Sequence, residues 1–152
     1  MSLTDEQYMH QALLLAETAY QKGEVPVGAL LVGEMGIISF AHNRREELHD
    51  ATAHAELLVL REAGAKLRTW RLLDTTLYVT LEPCPMCAGA LVLARVSRLV
   101  FGTRDPKGGA AGSLFNIAAD PRLNHRLEVH EGVLAEECAA LLKKFFSERR
   151  NQ

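Results

Sequence analysis

The sequence predicts an α/β fold: a three-layer α-β-α domain built on a mixed five-stranded sheet. Two observations carry this expectation. Short runs of strong β-formers alternate with amphipathic stretches of helical period, the pattern of helices packed on both faces of a sheet. The first two strand runs are separated only by Gly33-Glu34-Met35-Gly36, so they form an antiparallel hairpin and the sheet cannot be purely parallel.

Taken in order, residues 5–22 read as a helix. Thr4 and Gln7 make a capping box, Asp5 and Glu6 suit the positive end of the dipole, and Gly23 can terminate the segment. Tyr8, Ala12, Leu15 and Ala19 form its apolar stripe. Val25–Val32 and Ile37–Ala41 are the hairpin strands, and His42–Asp50 is a charged loop. A second helix is expected from Thr52 to Ala63, with Asp50 or Thr52 as its cap. Thr75–Leu81 is a strand that feeds Pro83-Cys84-Pro85-Met86-Cys87 and a third helix, Pro85–Ala94, with Pro85 at its first position. Arg98–Phe101 is a fourth strand. Asp105–Asn116 is a glycine-rich loop passing into a short helical piece. Leu127–His130 is a fifth strand, and Val133–Arg149 a final helix with Leu134, Cys138, Leu141 and Phe145 inward.

The chain's 152 residues, 48% of them hydrophobic, suffice for one domain with a substantial core, spanning 1–152. No apolar run reaches membrane-spanning length, and the acidic, polar start does not resemble a secretory signal, so a cytoplasmic protein is expected. Three cysteines, two of them in one short motif, argue against a disulfide framework. Cys138 reads as a small buried hydrophobe. A net charge of -2 argues against a strongly basic nucleic-acid binder. Local clusters nonetheless stand out: Arg44-Arg45, Lys66, Arg68 and Arg71 around Trp70, Arg104 with Lys107, and Arg149-Arg150.

The chemistry concentrates in His54-Ala55-Glu56 and Cys84-Pro85-Met86-Cys87. Two thiolates and a neutral imidazole balance a zinc ion's charge and leave its fourth position for water, as catalytic rather than structural zinc sites do. His54, Cys84 and Cys87 are therefore the expected Zn2+ ligands, and Glu56 the expected proton carrier. Residues two apart in a helix point to opposite sides, so His54 and Glu56 can face one ion only at a helix start. Cys84 as a helix cap with Cys87 in the first turn brings both sulfurs to the same place. A redox Cys-x-x-C or a pair of packed cysteines would leave His54 and Glu56 without a role. His10, His42 and His49 read as surface or loop histidines. H-x-E paired with P-C-x-x-C is the signature of zinc-dependent nucleobase deamination, in which an activated water attacks the amine-bearing ring carbon and one carboxylate shuttles protons.

Over nearly its full length the chain resembles the bacterial tRNA-specific adenosine deaminases, within the cytidine deaminase-like superfamily. The resemblance rests on Glu24–Ala29, Asn43-Arg44, Asp50–Glu56, Leu77–Ala90, Phe101-Gly102, Arg104-Asp105, Gly109–Ser113 and Glu137-Cys138 through Phe145-Phe146. It implies conversion of adenosine to inosine at the wobble position of a tRNA anticodon by a homodimer, with residues 102 to 116 helping to form each site. It also implies substrate contacts by Asn43, Asp105 and Phe146, with Asn124 a further candidate. Read without the resemblance, Asn43 is a turn residue, Asp105 a loop cap and Phe146 a core residue. Pro106 departs from the alanine common at that place and biases Asp105 toward an extended backbone. Two other readings stand beside this one: a deaminase of free bases or nucleosides such as guanine or cytosine, and a non-catalytic protein stapled by a closed zinc site. The residues alone leave adenine and cytosine evenly placed.

Overall fold

The computed structural model describes residues 3–150. Helix α1 (Asp5–Gln21) opens with the expected capping box between Thr4 and Gln7 and closes at Gly23, whose φ of 79° lies in the left-handed region. The hairpin follows as β1 (Gly28–Gly33) and β2 (Gly36–His42), then a short helix α2 (Arg45–Leu48). Helix α3 (Ala55–Leu67), β3 (Thr76–Leu81), α4 (Pro85–Leu93), β4 (Arg98–Thr103), β5 (Glu128–His130) and α5 (Ala135–Arg150) complete the chain.

The sheet order is β2-β1-β3-β4-β5. β1 runs antiparallel to β2 and to β3, and β3, β4 and β5 run parallel, so the sheet is mixed and five-stranded as expected. Side chains alternate between two cores. Leu31, Leu77, Val79, Leu99 and Phe101 pack with Val59, Leu91 and Val92 of α3 and α4 on one face. Leu30, Tyr78 and Val100 pack with Tyr8, Met9, Ala12 and Leu13 of α1 and with Cys138 of α5 on the other. Cys138 is thus a buried hydrophobe. Helix α1 sits so close to β1 that a Cβ on Gly28 would lie 2.1 Å from the Ala12 carbonyl oxygen.

Four expectations change. The loop His42–Asp50 contains α2, because the buried Glu24 carboxylate accepts the N–H groups of Glu46 (3.1 Å) and Glu47 (2.9 Å). Helix α3 starts at Ala55 rather than Thr52, since Asp50 spends its carboxylate on Thr52 in a local turn. The glycine-rich loop forms no helical piece: its amides bond to Glu82, to the Pro83 carbonyl and within tight turns, and Gly112 adopts a φ of 133°. Leu134, with φ 54°, stands before α5, and Leu142 takes the buried position expected for Leu141.

Candidate active site

Two helix starts converge beyond the end of β3. His54 is itself the cap residue of α3, with extended backbone (φ -74°, ψ 149°), and Cys84 occupies the same place on α4 (φ -73°, ψ 173°). Neither side chain caps its own helix, so both are free to turn toward a common point. The His54 Nδ1 lies 3.6 Å from Cys84 Sγ and 3.5 Å from Cys87 Sγ, and the three ligand atoms all fall within 4.8 Å of one another. Zn–S near 2.3 Å and Zn–N near 2.0 Å at tetrahedral angles give an S···N edge of about 3.5 Å, so this donor set fits zinc in size and chemistry.

The electrostatics agree. The Cys84 thiol is pushed down to about 4, first because the Cys87 thiol donates to it and then because His54 faces it. Proton-sharing with Cys84 and burial push Cys87 up. The Cys84 sulfur in turn raises His54. A sulfur whose thiol is pushed down beside an imidazole is a place for a cation.

Glu56, at the second position of α3, is 4% exposed and is not one of the three clustered ligands. Burial pushes its carboxyl up to about 7, while the charge of His54 and a contact with Cys87 pull the other way. The helix start resolves the objection to an i, i+2 pair, because His54 stands outside the helix and Glu56 just inside it. The missing cap of α3 comes from across the site: Asn43 Oδ1 accepts the Ala55 N–H at 2.8 Å. Asn43 is buried and adjacent to the cluster, so it is more than a turn residue.

Asp105 is half-buried, and its carboxylate caps the N–H groups of Lys107 (3.1 Å) and Gly108 (3.2 Å). Its own N–H donates to Glu82, a residue that motif reading passes over. Phe146 is 45% exposed and packs edge-on against buried Phe145, so it is not core. Arg149 of the same helix donates to the Gly23 carbonyl, and Gly28 N donates to Thr80, so this part of α5 stands at the end of the sheet that carries the cluster. Asn124 is not brought there. Its neighbour His125 bonds the Val96 carbonyl (2.7 Å), just ahead of β4 and at the opposite end of the sheet. Two clusters of positive charge are also weaker than they read, since Arg44 pairs with Glu47 and Arg104 with Glu131. Trp70, with Arg71 and Arg95 over its ring, lies beyond the C-terminus of α3, away from the cluster.

The sequence matches the MafB19-like deaminase family over residues 3–150. The chain belongs to that family. Among relatives of this deaminase is the tRNA-specific adenosine deaminase of Bacillus subtilis (strain 168), 55% identical over 148 residues that cover 97% of this chain and 92% of that one. A solved structure from work on A-to-I editing by tRNA:A34 deaminases at the wobble position matches with a TM-score of 0.85 and 44% identity, covering 89% of this chain and 98% of that one. The guanine deaminase of Nitrosomonas europaea matches with a TM-score of 0.79 but only 26% identity, covering 97% and 86% of the two chains. The deaminase therefore has the cytidine deaminase-like fold, and its His54-Cys84-Cys87 cluster is compatible with zinc binding.

Proposed function

We propose that this deaminase converts adenosine to inosine at the wobble position of a tRNA anticodon. The observation that carries the chemistry is a buried carboxylate, Glu56, lying outside a cluster of three candidate metal ligands, His54, Cys84 and Cys87. The identity to tRNA-specific relatives, far above that to the guanine deaminase, favours RNA as the substrate.

His54, Cys84 and Cys87 would hold the zinc ion, which would supply the Lewis acidity that makes water a nucleophile at neutral pH. Glu56 accepts the proton of the attacking water, delivers it to the ring nitrogen beside the reacting carbon, and returns a second proton to the departing amine. Adenosine and water thus become inosine and ammonia. Burial raises the Glu56 carboxyl above the ordinary carboxylate range, the direction that suits a group which must donate as well as accept. Asn43, its Oδ1 engaged by Ala55, presents Nδ2 as a donor to the flipped base. Asp105 and exposed Phe146 meet the neighbouring nucleotides of the anticodon loop, Phe146 by stacking.

The reading includes a cytoplasmic, single-domain homodimer. An apolar groove between α3 and α4, where Trp70 (58%) and Leu93 (69%) are exposed, supports self-association, which analytical ultracentrifugation tests directly. Among the described residues no helix is long and apolar enough to cross a membrane.

The deciding experiment incubates zinc-loaded protein with an anticodon stem-loop bearing wobble adenosine and measures inosine by mass spectrometry, with free adenosine, cytidine and guanine alongside. Inosine in the RNA alone supports the proposal. Turnover of a free base with silent RNA sinks it and favours the guanine-deaminase-like alternative.

A further inference from the structure

Glu82 is a buried carboxylate with no part in the chemistry above. It is 2% exposed at the end of β3, two residues ahead of Cys84. Its Oε1 accepts the Asp105 N–H (3.0 Å) and the Ser113 hydroxyl (2.5 Å), and its Oε2 accepts the N–H groups of Ala111 and Ser113, both at 3.0 Å. The nearby cation Arg104 is engaged by Glu131 instead. Burying a carboxylate without a counter-ion is costly unless donors fill its lone pairs, and here donors from one loop do so.

The loop is shaped around this group. A Cβ on Gly109 would fall 2.3 to 2.5 Å from the Glu82 carboxyl atoms, so only glycine lets the backbone wrap it. The adjoining backbone is zipped as well: Glu82 N–H donates to the Thr103 carbonyl (2.9 Å) and Ala110 N–H to the Pro83 carbonyl (2.8 Å). Three of the four donors are N–H groups that cannot reverse. An acceptor-only side chain is therefore required, and glutamine, similar in size, cannot meet them all.

We propose that Glu82 is a positioning residue that holds the Asp105–Ser113 loop in the shape that grips the RNA beside the target base. The inference rests on the RNA reading above. One short turn thereby ties the substrate-gripping loop to a metal ligand, while Glu82 itself touches neither base nor ion.

The test compares Glu82→Gln with wild type, and adds Gly109→Ala, which crowds the same contact from the other side. The amide introduced by Glu82→Gln settles best with its nitrogen toward Ser113, whose hydroxyl can turn to accept it, and so abandons the Asp105 N–H. The expected result is a KM for the anticodon stem-loop raised roughly tenfold, the scale of one charge-assisted hydrogen bond. Turnover at saturation should stay within about twofold, zinc content should be unchanged, and amide exchange across residues 105–113 should accelerate; Gly109→Ala should reproduce the pattern. An unchanged KM in both variants overturns the inference, as does loss of turnover or zinc with KM intact. A wild-type protein silent on the stem-loop removes the RNA reading and this inference together. That outcome is distinct from an active wild type that Glu82→Gln merely matches.

Discussion

Asn43 Oδ1 accepts the backbone N–H of Ala55 at 2.8 Å, so the residue that opens the loop after β2 also caps α3. Because Ala55 can only donate, the amide's oxygen must face the helix, which leaves its nitrogen to donate to the base in the proposed substrate pose. Asn43→Asp should keep the cap and lose the outward donor. It should melt within a degree or two of wild type yet lose most inosine formation. Asn43→Ala should lose the cap too, costing about 1 kcal/mol of stability in urea unfolding.

Glu56→Gln should cut turnover by about 10²–10⁴-fold, the range attributed to a positioned acid–base, with zinc content by elemental analysis unchanged. A non-catalytic zinc staple would show no turnover to lose. Stripping the metal with a chelator should abolish activity in wild type, and zinc should restore it.

The Asp5 carboxylate receives Arg98 at 2.5 and 2.9 Å and the Tyr78 hydroxyl at 2.6 Å, pinning the start of α1 to β3 and β4. Arg98 first, then Tyr78, holds the Asp5 carboxyl down at about 2, against an ordinary 3.8. A depressed acid stabilises the fold above its unfolded value, and that contribution is lost as pH falls from about 4 through 2. Asp5→Asn should therefore lower stability at neutral pH by no more than about 1 kcal/mol, since the pair is part-exposed. The difference from wild type should vanish near pH 2 in acid titrations followed by circular dichroism.

Gly28→Ala should be far more damaging. The added methyl would meet the Ala12 carbonyl at 2.1 Å and the Ala16 nitrogen at 2.7 Å, both backbone atoms that cannot swing aside. A loss of about 3 kcal/mol, from forcing α1 off the sheet, is expected in chemical denaturation.

The sequence discloses what depends on local spacing. Cys84 and Cys87 at a helix start follow from Pro85 and the interval between them, and the hairpin follows from its four-residue turn. What stays hidden depends on partners distant in the chain. That His54 stands at the cap position of α3 is not legible, because the group that satisfies Ala55 arrives from Asn43 in another loop. Glu24 and Glu82 are ordinary acids in the sequence, and only the fold buries each against N–H groups far along the chain. The clues to Glu82 are its place at the end of an apolar strand and a glycine-rich segment with no dinucleotide pattern. The case for Asn124 draws on its neighbours in sequence, whereas the His125 contact with Val96 fixes it at the wrong end of the sheet.

His54 stands 30 residues ahead of Cys84, on the far side of a complete strand, and the two meet only because β3 is inserted between β1 and β4. A nascent chain that has emerged only as far as β3 carries one of the three candidate ligands. Metal capture therefore comes late in the life of each new molecule, after its central strand has found both neighbours. Zinc acquisition would then report that the central strand has been placed between both neighbours.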